Sequence, residues 1–214
     1  MPKDDLEKFR EESLTHLKRI RLEDIAIFDG GLIDENFTIV ARPDGEMLLR
    51  INEVISVLKD IDPKQYYYPL DQIHLTILGN IDKGVDPDRI IEAMRTILPK
   101  YRVIFSLLGL GGSNGSVSIV AYPEFDLSSL RRELREFIES EGERYDTGLP
   151  HGEHVGWINI MRYSSKTSQE FLDKLPEMKD IGLGKMFPRT IELYRDTTKI
   201  MDQERIELLY SNKC

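Results

Sequence analysis

Residues 72–81, QIHLTILGNI, set a histidine and a hydroxyl two positions apart on what reads as a buried β-strand. Side chains alternate along a strand, so His74 and Thr76 share one face while Leu75 and Ile77 take the other. A titratable ring beside an alcohol on a rigid element has the makings of an acid/base and phosphate-binding pair. The ordinary alternative for such a triplet is a hydrogen-bonded strand histidine with no chemistry of its own. The surroundings have to decide.

Outward from this strand the chain alternates two periodicities. Before it, FTIVA (37–41) reads as a strand that Pro43 and Gly45 break, and Leu48, Ile51, Ile55 and Leu58 form the apolar stripe of a helix over 47–58. After it, Asp86 and Pro87 open a helix running to about 98. Strands over 103–110 and 117–122 flank the turn-rich GGSNG, which predicts an antiparallel hairpin. The GLGG run there lacks the helix that a phosphate-cradling loop requires, so it is read as part of that turn. A helix over 127–141, a strand over 156–163, a helix over 168–178 and strands over 190–195 and 205–210 complete the order β-α-β-α-β-β-α-β-α-β-β. This is an α+β chain in two similar halves, each with strands that pair and helices packed on one face. Residues 1–35 precede the pattern as an N-terminal extension, with an amphipathic helix (Leu6, Phe9, Leu14, Leu17, Ile20) on which His16 is solvated.

Composition narrows the classes of function. The chain has 214 residues, 40% hydrophobic and 31% charged, as in a water-soluble globular protein. Its formal net charge of −9 argues against a non-specific grip on long nucleic acid, which needs a broad basic surface, and leaves room for a local basic cleft. No apolar run approaches the ~20 residues of a membrane span, and the N-terminus lacks signal-peptide regions, so a cytoplasmic protein with no membrane partner is expected. The only cysteine is Cys214, and neither histidines nor acids cluster at ligand spacing, so no metal and no cofactor are expected.

The element order and the motif HLTILG resemble the two-histidine phosphoesterase superfamily, which includes 2′-5′ RNA ligase-like and cyclic nucleotide phosphodiesterase proteins. The resemblance runs from about residue 37 to 210. It implies a bilobal fold, two pseudo-symmetric antiparallel-sheet lobes with helices on the outer faces and a central cleft, over a domain of residues 36–214. It also implies a His-x-Thr or His-x-Ser strand from each lobe, facing across that cleft. His74 and Thr76 match the first motif, as acid/base residue and phosphate donor. At the second, Gly156-Trp157-Ile158-Asn159-Ile160-Met161-Arg162 aligns by spacing, which puts Trp157 at the histidine position and Asn159 at the hydroxyl position.

Neither an indole nor an amide exchanges protons near neutral pH. His151 or His154, in the loop just upstream, is the candidate replacement, and His154 is carried as a catalytic candidate beside His74 and Thr76; the alternative is two solvated loop histidines. Trp157, Asn159, Arg162 and Tyr163 are the substrate-binding candidates, with Trp157 either stacking a base or closing the core. The run Tyr66-Tyr67-Tyr68 reads as packing, and Tyr194 and Arg195 as phosphate-side residues by family analogy alone. The resemblance thus implies a metal-independent phosphodiesterase. Its substrate would be a cyclic nucleotide, an RNA-terminal 2′,3′-cyclic phosphate or a 2′-5′ linkage. The alternative is a catalytically weak or inactive protein of the same fold that binds nucleotides or RNA ends.

Overall fold

The computed structural model describes residues 3–28, 36–138, 153–196 and 206–214. Two antiparallel sheets form the molecule. The first has the order β3-β1-β8-β9, built from β1 (Asn36–Arg42), β3 (Leu75–Asp82), β8 (Thr190–Asp196) and β9 (Ile206–Lys213). The second has the order β2-β6-β5-β4-β7, from β2 (Tyr66–Tyr67), β4 (Phe105–Gly112), β5 (Ser116–Pro123), β6 (Gly156–Arg162) and β7 (Gly182–Met186). Among the described residues five α-helices complete the fold: α1 (Lys3–Arg19), α2 (Gly45–Ile61), α3 (Pro87–Ile97), α4 (Leu127–Ile138) and α5 (Gln169–Glu177). This is the expected α+β architecture of two sheet lobes.

Local chemistry sets the helix starts. Asp44, Asp86 and Ser168 cap α2, α3 and α5, each accepting a backbone N–H of the first turn. Two strands have no counterpart in the sequence pattern: β2 is two residues long, and β7 (GLGKM) is too glycine-rich to alternate. Tertiary pairing with β6 and β4 makes them strands.

The lobes meet where β3 runs beside β6. Gly156 lies against Leu75 so closely that a Cβ there would stand 3.1 Å from Leu75 Cδ1. Arg131 of α4, 6% exposed, ties the same seam by donating to the carbonyls of Ile77 (2.7 Å), Val155 (3.2 Å) and Thr76 (3.3 Å). Leu75, Ile77, Ile158 and Ile160 face one continuous core. His74, Thr76 and Trp157, each half-buried, alternate with those core residues along their strands.

α1 packs on the second sheet. Phe9 joins Val120, Tyr122 and Val155 in an apolar cluster to which Trp157 adds its ring. Leu17 and Ile20 are buried, and Leu17 lies over Gly112. The helix thus covers the face that bears Trp157 and Asn159. Among the described residues, no helix is long and apolar enough to cross a membrane.

Candidate functional site

The two motif strands share an irregularity that sets their side chains. Along β1 and β3 the pairs are Ala41 with Leu75, Val40 with Thr76, then Ile39 with Leu78, so Ile77 is an extra residue. Along β5 and β6 they are Val120 with Trp157, Ser118 with Asn159, then Val117 with Met161, so Ile160 is extra. Each bulge follows the third residue of its triplet directly, His74-Leu75-Thr76 in one lobe and Trp157-Ile158-Asn159 in the other. A bulge re-aims whatever follows it. Past Ile160 it turns Arg162 onto the face of Trp157 and Asn159, paired with Ser116, and sends Tyr163 to the core. Two adjacent strand residues cannot both line one face, and the bulge selects Arg162.

In the first lobe, His74 directly precedes the Leu75–Ala41 pair, and Arg42 follows Ala41, paired on β8 with Thr190, two residues from Glu192. Four groups converge there. Arg42 donates from Nε to Glu192 (2.9 Å), from Nη1 to the carbonyls of Asp71 (3.0 Å) and Ile73 (3.1 Å), and from Nη2 to the Tyr194 hydroxyl (2.7 Å). Glu192 also accepts from Tyr194 (2.6 Å) and Thr190 (2.7 Å). Burial favours its neutral acid, but those donors outweigh that cost and hold the carboxyl below the usual carboxylate range.

His74 keeps an accessible edge in these crowded surroundings. Its Nδ1 lies 2.7 Å from the Gln72 carbonyl oxygen, which can only accept, so Nδ1 carries the proton. Nε2 is thereby the ring's basic atom. Burial, and then the positive charge of Arg42, lower the His74 pKa to about 4, against smaller opposing effects of the Gln72 bond and Glu192. The ring is a neutral base at neutral pH. Thr76 is half-buried beside it, its methyl against Gly79.

A chain of polar contacts leads from this cluster to the second lobe. Tyr66 donates to the Gln72 side chain (3.2 Å) and meets Tyr68 edge to face at 5.2 Å. Arg162 donates to the Tyr68 hydroxyl (2.8 Å), and its guanidinium lies 5.2 Å from the Phe28 ring centre. The tyrosine run thus links the two lobes by hydrogen bonds as well as by packing. Burial first, then Tyr68 and Asp71, push the Tyr66 phenol up to about 12, so it stays a neutral donor.

The second lobe has different furniture. Asn159 accepts from the buried Ser118 hydroxyl (2.7 Å), which leaves its amide N–H groups as donors. Trp157 and Asn159 line a groove of about 770 Å³ whose other wall is α1, including Glu12 and His16. His16, expected to be solvated, is exposed and stands on that wall.

The remaining sequence candidates lie elsewhere. His154 is exposed and stacks on Phe9, with ring centres 6.2 Å apart, so its described contact is with α1 and not with the His74 cluster. His151 falls outside the described residues. Tyr163 is fully buried, edge-on to Phe171 at 6.4 Å, and burial raises its pKa. It therefore lines no cleft. Tyr194 joins the cluster, whereas Arg195, on the other side of β8, lies over the Phe37 ring. Arg42, Glu192 and Gln72 were not singled out by the sequence. The available signal was polar residues at alternate positions of a strand, Thr190, Glu192 and Tyr194, and an arginine ending FTIVAR.

Comparison with solved structures places this architecture. E. coli LigT aligns with 84% of this chain and 97% of its own, at a TM-score of 0.54 and 13% identity. TT0787 of Thermus thermophilus aligns over the same shares at 0.57 and 15%. The chain shares the fold of these two proteins. A further structure described as a phosphoesterase aligns with 84% of this chain and 98% of its own, at 0.53 and 14%. No family model and no curated sequence matches the chain at significance. At such identities the phosphoesterase fold is what is shared, so the chemistry has to be argued from this chain's own residues.

Proposed function

We propose that this protein binds and slowly hydrolyses a nucleotide phosphodiester, a 2′,3′-cyclic phosphate or a related RNA-terminal linkage, with one proton-transfer side chain. The observation that carries this reading is the half-buried His74 ring, held as the Nδ1–H tautomer with Nε2 basic, two residues from the half-buried Thr76 hydroxyl. Nε2 takes the proton of the attacking water as its oxygen bonds to phosphorus. The ester P–O bond breaks, and Thr76 donates to a nonbridging oxygen. The leaving oxygen takes its proton from solvent, because Trp157 and Asn159 have none to give. No step in this sequence calls for a metal. LigT has been solved with NADP+ and with ATP, which favours a nucleotide as the ligand class here. Trp157 offers the base an aromatic face and Asn159 its amide donors.

A positioned acid or base contributes about 10² to 10⁴ in rate, so a site with one such group is slow. A second reading, a nucleotide-binding protein without turnover, is favoured by the non-titrating Trp157/Asn159 pair and by the low basicity of His74.

Incubating the full chain with 2′,3′-cyclic AMP and EDTA separates the two. The enzyme reading expects a ring-opened monophosphate and a loss of about 10² to 10⁴ in kcat/KM for His74→Ala. Turnover that survives this change sinks it. Trp157 is the only tryptophan, so its fluorescence reports binding directly. Saturable quenching without product supports the binding reading, and no response at millimolar nucleotide removes both.

A further inference from the structure

We infer that Arg42 is a positioning residue for His74, fixing both the tautomer of the ring and the electrostatic setting in which it acts. This deepens the proposed function and rests on its assignment of His74 as the proton acceptor.

The argument is geometric. Arg42 ends β1 and His74 immediately precedes β3, each one residue beyond the Ala41–Leu75 pair, and the charge of Arg42 reaches the ring. Through Nη1 the guanidinium binds the carbonyls of Asp71 and Ile73, the residues on either side of Gln72. Two bonds from one rigid, planar group fix the path of the backbone at both flanks of Gln72. The carbonyl between them is the one that receives the His74 Nδ1–H at 2.7 Å. Arg42 is itself immobilised from the far side by Glu192 and Tyr194 on β8. The chain of support therefore runs Glu192 to Arg42, to the 71–73 turn, to the imidazole. Orienting a base through a group that binds its other ring nitrogen is a recurrent device, with a backbone carbonyl here in place of a carboxylate.

Arg42 also acts on the ring directly, since its charge opposes protonation of His74 while that of Glu192 favours it. Of the other titratable groups, Tyr194 on β8 bonds both Arg42 and Glu192, and Tyr66 on β2 reaches the turn only through the Gln72 side chain. Thr190 adds a neutral hydroxyl to Glu192. In the second lobe, the position facing Trp157 is the apolar Val120.

The test is ¹H–¹⁵N correlation NMR of the imidazole nitrogens in the full chain, which needs no turnover and so stands or falls apart from the proposed activity. The chain has four histidines, and the His74 signals are those lost in His74→Ala. The unaltered protein is expected to show one tautomer, Nδ1–H. Arg42→Gln is expected to mix the tautomers and move the His74 titration up by about one pH unit or more, whereas Glu192→Gln moves it down. Arg42→Lys keeps the charge but not the fork, and is expected to mix the tautomers with a smaller titration shift. A merely structural role would lower the melting temperature of these variants and leave tautomer and titration alone. A folded Arg42→Lys protein with an unmixed Nδ1–H tautomer overturns the proposal, even if Arg42→Gln cannot be obtained folded.

Discussion

His74 lies next to the Ala41–Leu75 pair, within reach of the Arg42 charge, whereas Trp157, at the corresponding place in the other lobe, faces Val120. The same backbone device, a bulge directly after the third residue of each triplet, follows both pairs. Beyond it the halves diverge. Thr76 is matched by Asn159, and Gly79 by Arg162. The Arg42–Glu192–Tyr194 cluster has its counterpart in an apolar patch over which α1 lies. Repetition of a fold thus conserves where side chains point without conserving what they can do, because the bulge is backbone geometry and the chemistry is side-chain identity.

Three further experiments probe this asymmetry, beginning at the seam that holds the halves together. Arg131→Met removes a buried cation that binds carbonyls of both lobes, among them that of the bulged Ile77. A loss of about 3–5 kcal/mol is expected in chemical denaturation, by analogy with breaking buried ionic contacts. If the stability is unchanged, the Arg131 hydrogen bonds are not what holds the lobes together.

The pH dependence of stability separates the titrating half from the other. The folded pKa of His74 is about 4, below the ~6.5 of an unfolded histidine. Between these values the unfolded chain binds more protons, so stability falls as the pH drops from 6.5 towards 4. The contribution is at most about 3 kcal/mol, and less in proportion to the accessible edge of the ring. His74→Ala should remove that component from a series of denaturation curves, and Trp157→Ala should leave it in place. An acid limb unaltered in the His74 variant would falsify the burial argument.

The smallest effect is expected at Tyr163, whose buried hydroxyl has no hydrogen-bond partner among the described residues. Tyr163→Phe removes a polar group that burial penalises, and should leave stability equal or raise it by less than about 1 kcal/mol. Nucleotide binding read from Trp157 should not change. Weaker binding would return Tyr163 to the site.

Much of the fold was legible because periodicity is local. Alternation marked β1, β3, β5, β6 and β8, the cap at Asp86 marked a helix start, and apolar spacing marked α1. The strands β2 and β7 were not, since pairing and not propensity makes them strands. Of the candidate site, the His74 and Thr76 pair stood out as a motif. Its supports did not, since Arg42 meets Glu192 from 150 residues away and sequence separation hides such a contact. The bulge at Ile160 was equally hidden, and with it the choice of Arg162 over Tyr163.

By itself the sequence determined the α+β class, the order of the elements and the chemical inequality of the two motifs. These depend on residue type and spacing, which a linear chain displays. The tertiary structure alone decided that α1 lies over the Trp157 face, that Arg42 and Glu192 surround His74, and that its Nδ1 is the protonated nitrogen. Those facts depend on which distant groups share a desolvated space, where hydrogen bonds and charges set both tautomer and basicity.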